Sequence, residues 1–376
     1  MGIMSERTKL SKPQAAALEH ITNYARSRKE RAQKETRHVL QMSNIAQTLF
    51  ESAIDKLKSY ARVALHFHPD RPDPNLKTVA EALLESGLYK NQFETLLSSG
   101  SVSAFPGGER DQWENKIFGG AYHAESSTNS ERPKYGALNL MLHPDGPSPR
   151  FGSCYFLLNP AVSRRCTFTY LDSHYDPQEK GTYEEFDDIV GALMVEVFVR
   201  DFAIGQSGLT PGKLIDHLLI NLEQPFSDPS NRAAVRNLNH YIEAQIHGDV
   251  SLQEDVDILV ADPSFQKTKT GQILEEICLR YQIKLYWHCG FALPVTDVPD
   301  DFRGATMPSL AKRIATEEYV DVSMIGPAAF ELKRDPNSWS ERGTYEEVLQ
   351  ELKILWHVLV KHGRPFRMFT QPRSVE

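Results

Sequence analysis

Tyr241, Glu243, Gln245 and His247 recur at every second position within residues 238–252, with Ile242, Ala244 and Ile246 between them. Successive side chains of a β-strand point to opposite faces, so this alternation predicts one apolar core face and one face that bears a phenol, a carboxylate, an amide and an imidazole. Burying such a face is costly unless a ligand or a dense hydrogen-bond network meets it. An edge strand with its polar face turned to solvent is the other arrangement the alternation allows.

A second constellation lies at residues 63–71, where Val63, Leu65 and Phe67 alternate with Ala64, His66 and His68. This predicts a strand with both histidines on one face, ended by Pro69 and followed by Asp70 and by Arg71 at its mouth. Two histidines one residue apart, followed by an aspartate, could ligate a metal or serve as hydrogen-bonded pocket residues. A metal needs further ligands, and no local spacing selects among His143, Asp172, His174 and His247. Ser98 and Ser99 beside Gly100 would allow close backbone approach to a ligand, or form a plain turn.

The elements that must position these residues are legible from period and punctuation. Helical spacing over 15–29 and 35–62 predicts an N-terminal helical lobe, residues 1–60. A short helix over 79–88 is closed by Gly87, and the stretch 104–114 is expected to be a loop. Strands are expected over 132–140 and 150–158, joined as a hairpin across the turn at 143–146, and again over 166–174. Residues 191–202 fit either element; 211–222, 255–260 and 271–281 read as helices, and 283–290 as a last strand. Residues 297–376 form a helical extension containing an amphipathic helix at 345–362, whose stripe of Val348, Leu349, Leu352, Leu355, Trp356 and Leu359 reads as packing over the core residues 61–296. The class is α+β, a mixed sheet with inserted helices and not a regular βαβ repeat. No strand is followed by a glycine fingerprint of the dinucleotide-binding or P-loop type, which argues against dehydrogenases and kinases.

Composition sets outer bounds. The chain has 376 residues, 40% hydrophobic and 24% charged, with a net charge of -8 that argues against a general nucleic-acid binder. Its four cysteines, Cys154, Cys166, Cys278 and Cys289, lack Cys-x-x-Cys spacing, so neither a zinc ribbon nor a disulfide framework is expected. There is no apolar signal core and no run of about 18 apolar residues. The expectation is a soluble protein made in the cytoplasm, with no membrane partner; export into a host cell by a leaderless route would leave no trace in such a sequence.

His66-Phe-His-Pro-Asp-Arg71, Gln92-Phe-Glu-Thr95, Arg132-Pro-Lys-Tyr-Gly-Ala-Leu-Asn139, Phe151-Gly-Ser-Cys154 and Tyr241-Ile-Glu-Ala-Gln-Ile-His-Gly248 together carry a resemblance over residues 60 to 295. The segment resembles a bacterial family long without an assigned function and similar to the CteC-type effectors, the CHART group of ADP-ribosyltransferases. The resemblance implies an ADP-ribosyltransferase-type split β-sandwich that clasps NAD as co-substrate. It would have an arginine on the first strand, hydroxylated residues on the second and a glutamate on a late strand. Those roles fall on Arg71, on Ser98 and Ser99 with Thr95, and on Glu243. Tyr89 and Asn139 correspond to the family's aromatic and asparagine positions, and His68, Arg132 and Tyr135 complete the expected NAD contacts. Glu243, Arg71 and Tyr89 form the expected catalytic set. Transferases of this fold often carry Glu or Gln two residues before the catalytic Glu; here Tyr241 stands there and Gln245 lies two residues after, so target specificity does not transfer from that feature.

The residue types suit that chemistry. Cleaving the nicotinamide glycosidic bond develops positive charge on the ribose, which a fixed carboxylate stabilises more in the transition state than in the ground state. A diphosphate suits a persistent cation with several donors, Arg71 with Arg132 as a second candidate. The acceptor that the resemblance implies is a protein hydroxyl, a threonine on ubiquitin foremost. Two other classes stay open: a metal-dependent hydrolase built on His66, His68 and Asp70 with Asp172 and His174, and a non-enzymatic interaction protein presenting its helical lobes.

Overall fold

The computed structural model describes residues 10–97, 104–124 and 127–370. In chain order its helices are α1 (Lys12–Met42), α2 (Gln47–Tyr60), α3 (Val79–Ser86), α4 (Gln92–Thr95), α5 (Glu109–Ile117), α6 (Asp187–Arg200), α7 (Pro211–Ile220), α8 (Leu252–Asp255), α9 (Lys269–Tyr281), α10 (Met307–Ile314), α11 (Ile325–Arg334), α12 (Tyr345–His362) and α13 (Arg367–Thr370). The strands are β1 (Val63–Phe67), β2 (Lys134–Leu138), β3 (Cys154–Leu158), β4 (Cys166–Tyr170), β5 (Lys180–Thr182), β6 (Phe202–Ala203), β7 (Gln206–Ser207), β8 (Ile242–Ile246), β9 (Val256–Ala261), β10 (Lys284–Trp287), β11 (Ala292–Pro294) and β12 (Tyr319–Asp321). The chain is α+β.

Eight of these strands hydrogen bond in the order β10-β9-β3-β1-β2-β8-β4-β5, antiparallel throughout except for the parallel pair β9 and β10. The join between β1 and β2 is short. Only Val63 with Leu138 and Ala64 with Ala137 are paired across it, whereas β1 stays with β3 as far as Phe67 with Cys154 and β2 stays with β8 back to Lys134 with Ile246. Two four-stranded halves therefore part beyond Ala64 and Ala137, leaving a wedge between the end of β1 and the start of β2. Gly136 sits at this branch, where a Cβ would lie 2.5 Å from the Ala64 carbonyl oxygen. Only glycine lets the two backbones approach so closely before they separate.

Two expectations fail here for identifiable reasons. The expected hairpin of 132–140 with 150–158 does not form: β2 and β3 flank β1 on opposite sides, because the long connection between them sets no tight-turn register and β1 offers two edges. Residues 255–260, expected to be helical, contribute β9, a short apolar run buried between β3 and β10. The N-terminal helix also runs further than its spacing suggested. Glu30, Arg31, Ala32, Gln33 and Lys34 are all good helix formers, and the break comes at Asn44, held at φ 53°.

The polar face of β8 is covered. The strand pairs on both sides, and Tyr241, Glu243, Gln245 and His247 are all buried. The opposite face joins the main apolar cluster, which runs from Val39 and Leu57 through Phe168, Ile189 and Ile242 to Leu355 and Leu359. The extension after residue 297 is tied in by β12 pairing with β11 and by α12, whose Trp356 Nε1 donates to the Pro149 carbonyl at 2.8 Å. Among the described residues no helix is long and apolar enough to cross a membrane.

Candidate functional site

The wedge opens into a cavity of about 670 Å³, inside the range of roughly 300–1,000 Å³ usual for small-molecule sites. His66 and Phe67 line it from β1 and His68 from just beyond the strand, Tyr135 and Gly136 from β2, and Glu243 from β8. Glu243 pairs with Ala137, which pairs with Ala64, so its carboxyl is placed in the row of residues where the two half-sheets begin to part.

That carboxyl is held by its neighbours. Gln245 Nε2 donates to Glu243 Oε1 at 2.8 Å and to Thr169 Oγ1 at 3.2 Å, while Thr167 Oγ1 donates to Gln245 Oε1 at 2.8 Å. His247 Nε2 lies 3.1 Å from Thr167 Oγ1, and its Nδ1 lies 2.5 Å from the Tyr122 hydroxyl. Donors and acceptors balance when His247 is neutral with its proton on Nε2 and Tyr122 donates to Nδ1. Burial, with Arg165 and Lys134 near, lowers His247 to about 3 and keeps it neutral. His247, Thr167, Gln245 and Glu243 therefore form one continuous hydrogen-bonded chain ending at Glu243.

Burial raises Glu243 to about 8, and the Asp172 carboxylate adds to the rise. Asp172 is itself fixed, accepting from the Tyr241 hydroxyl at 2.8 Å and from the His174 backbone N–H at 2.9 Å. The Ser173 hydroxyl is close enough to favour the ionised form of Glu243, without the geometry of a full hydrogen bond. Two neighbouring acids in a buried cavity form a site prepared for positive charge.

Cations line the rest. Arg71, Arg110, Arg150 and Lys353 all border the cavity. The Arg110 guanidinium carbon lies 4.7 Å from the ring centre of Trp113 and 4.5 Å from that of Tyr135. Gln92 Oε1, Trp113 Nε1 and Arg150 Nε are buried at this lining with no hydrogen-bond partner among the described residues. Such groups are satisfied in the working protein by water or by a ligand.

Of the residues expected at the site, His68, Arg71, Tyr89, Thr95, Tyr135 and Glu243 line the cavity. Tyr89 donates to the His66 carbonyl at 3.2 Å, Thr95 to the Asn91 carbonyl at 3.1 Å, and Tyr135 to Glu114 Oε1 at 2.8 Å. Ser98 and Ser99 lie outside the described residues. Two other expected residues lie elsewhere in the fold. Arg132 does not line the cavity; it is buried and pairs with Glu114 Oε2 at 2.9 Å and Asp111 Oδ1 at 2.5 Å, so its charge is already met. Asn139 also lies away from it, beyond the Val63–Leu138 pair where the sheet is closed, with its backbone N–H donating to the Arg62 carbonyl at 2.8 Å.

The ring nitrogens of His66 and His68 have partners of their own at the cavity wall. His66 Nδ1 donates to the Gly152 carbonyl at 3.0 Å and Nε2 accepts from the Ser148 N–H at 3.4 Å, with burial lowering its pKa to about 3. His68 Nδ1 lies 3.4 Å from Ser153 Oγ. Asp70 turns toward α11, where a Cβ on Gly326 would lie 2.0 Å from its Oδ2. Among the described residues no group of three or more His, Cys, Asp or Glu side chains is placed to hold a metal ion.

Sequence reasoning missed Arg110, Trp113, Arg150, Ser173 and Lys353. Lys353 carried a usable signal, a lysine between Leu349 and Trp356 at the margin of an apolar stripe. Arg110 and Trp113 lie one helical turn apart in a segment expected to be a loop.

No curated protein matches the chain. A family match begins at residue 62, just before β1, and ends at residue 362 with α12, so it takes in every segment that lines the cavity. That family is described as DUF3626, a protein of unknown function, and the chain belongs to it.

Proposed function

We propose that the protein is a mono-ADP-ribosyltransferase that moves ADP-ribose from NAD to a protein hydroxyl, a threonine on ubiquitin being the leading acceptor, and that it acts as a bacterial effector or toxin. The observation that carries this reading is the placement of the Glu243 carboxyl at the branch of the sheet, in one cavity with Arg71 from the end of the neighbouring half. The parting of β1 from β2 after two residue pairs supports reading the eight strands as the halves of an ADP-ribosyltransferase-type split β-sandwich.

In this scheme the bond between nicotinamide and the ribose anomeric carbon breaks first, and nicotinamide leaves as a neutral amide with the bonding pair. The ribose becomes cationic, and Glu243 with Asp172 stabilises it. NAD brings a positive nicotinamide ring into the same place, which favours ionisation of the raised Glu243 carboxyl on binding. A hydroxyl oxygen then bonds to the anomeric carbon, and its proton passes to the carboxylate pair. Water takes the hydroxyl's place when no acceptor is present.

Mass spectrometry of ubiquitin incubated with the protein and NAD tests the acceptor. A gain of one ADP-ribose on a threonine supports it. Unmodified ubiquitin beside labelled proteins in a lysate treated with labelled NAD keeps the transferase and discards this acceptor.

A further inference from the structure

Asp70 and Arg71 are neighbours in the chain that face different cavities. Arg71 borders the one that Glu243 lines, while Asp70 lines a second, of about 650 Å³, together with Ser323, Gly326 and Pro327 around the start of α11. The turn that carries them is held from two sides. On one side the Pro69 and Arg71 carbonyls accept from the first N–H groups of α3, Ala80 at 2.8 Å and Val79 at 3.1 Å. On the other side α11 grips the segment with residues near both of its ends. Lys333 Nζ donates to the Asp73 carbonyl at 2.6 Å. The Asp70 side chain lies against Gly326, where a Cβ would stand 2.0 Å from Oδ2, 2.2 Å from Cγ and 2.7 Å from the Asp70 Cβ. Any residue but glycine there has to push the carboxyl aside. No described residue of α11 borders the cavity that Glu243 lines.

We propose that Asp70 is a positioning residue: seated on Gly326, it fixes the turn that presents Arg71 to the cavity, so that α11 shapes the ligand site without touching the ligand. This role rests on the reading of the cavity as the NAD site, and it reaches the ligand only through Arg71. Shape carries it more than charge. Burial lifts the Asp70 carboxyl to about 7, against Arg71 and the Gly326 N–H, which favour the ionised form, and with Asp321 adding to the rise. At neutral pH the group is thus divided between two forms that fill the same seat. Burial lowers Arg71, and the ionised fraction of Asp70 opposes that effect. An amide of the same outline also fills the seat, whereas a methyl leaves it empty and frees the backbone on which Arg71 follows.

Asp70→Ala, Asp70→Asn and Gly326→Ala in the full chain test the assignment by nicotinamide release from NAD and by the rate at which phenylglyoxal modifies Arg71, read by peptide mapping. Asp70→Ala and Gly326→Ala should each raise the KM for NAD on the order of tenfold with kcat within about twofold. Asp70→Asn should stay near the wild type. The double variant Asp70→Ala with Gly326→Ala should lose no more than either alone, since both remove one contact. Phenylglyoxal should modify Arg71 several-fold faster in Asp70→Ala and Gly326→Ala than in the wild type, and melting temperatures report the structural cost separately. The two Asp70 variants leave α11 intact and decide the matter where Gly326→Ala does not fold. Wild-type KM and Arg71 reactivity in Asp70→Ala, or a loss in Asp70→Asn as large as in Asp70→Ala, would overturn the role. Faster Arg71 modification in Asp70→Ala and not in Asp70→Asn, with no nicotinamide released from NAD by the wild type, would uphold the positioning and remove the transferase reading.

Discussion

Gln245 donates to Glu243 at 2.8 Å while its own carbonyl accepts from Thr167, so the carboxyl that borders the cavity is oriented by the strand that carries it. The hydrogen bond favours the ionised form of Glu243 and opposes the effect of burial. Gln245→Met keeps the length and removes these bonds together with the one that Gln245 donates to Thr169. Nicotinamide release should fall about tenfold, and the rising limb of its kcat/KM against pH should move to higher pH. A variant that folds and keeps both the rate and the limb would show that Gln245 does not orient Glu243.

The raised carboxyl has a thermodynamic signature. Burial and Asp172 lift Glu243 from 4.5 to about 8, so at intermediate pH the folded protein holds a proton that the unfolded chain has lost. The stability this gives is fully present below the unfolded value and is lost as pH rises through the folded one. Relative to Glu243→Gln, the wild type should therefore lose stability between about pH 5 and pH 8, on the order of 1.4 kcal/mol for each pH unit. Denaturant melts of the two proteins across that window provide the check. Parallel curves would mean that Glu243 ionises in the folded protein as it does in water.

Arg132 and Arg71 should separate structure from binding. Arg132 pairs with both Asp111 and Glu114 in a buried cluster, and removing it takes the shared guanidinium from two acids, leaving His123 beside Asp111 and Arg110 beside Glu114. Arg132→Ala should cost about 3–5 kcal/mol of stability, with NAD affinity preserved in the molecules that remain folded. Arg71→Ala should weaken NAD at least tenfold with a smaller effect on melting. The reverse pattern would return Arg132 to the site.

Much of this arrangement was legible in the sequence where period and chemistry agreed. The alternation around Glu243 fixed its strand and its polar face, and the stripe at 345–362 gave α12 with its boundaries. Strand order was not legible, because β1 pairs with partners far along the chain on both sides and alternation records a face, not a neighbour. The same limit hid the site's composition. Arg132 and Arg71 are alike in sequence; only the fold brings Asp111 and Glu114 to one of them and the cavity to the other. Lys353 and Arg110 reach the cavity through helix packing across long separations, which local spacing does not encode.

The effect of Glu243 on NAD is the most direct test of the proposed transferase chemistry. Nicotinamide release should be measured from NAD alone, without an acceptor, alongside calorimetric NAD binding for the wild type and for Glu243→Ala and Glu243→Gln. The predicted result is slow release by the wild type, lowered by on the order of a hundredfold in Glu243→Ala with NAD affinity nearly unchanged, because the charge that Glu243 meets is greatest in the transition state. No release above the Glu243→Gln control together with no NAD binding, or full turnover in both folded variants, would contradict it.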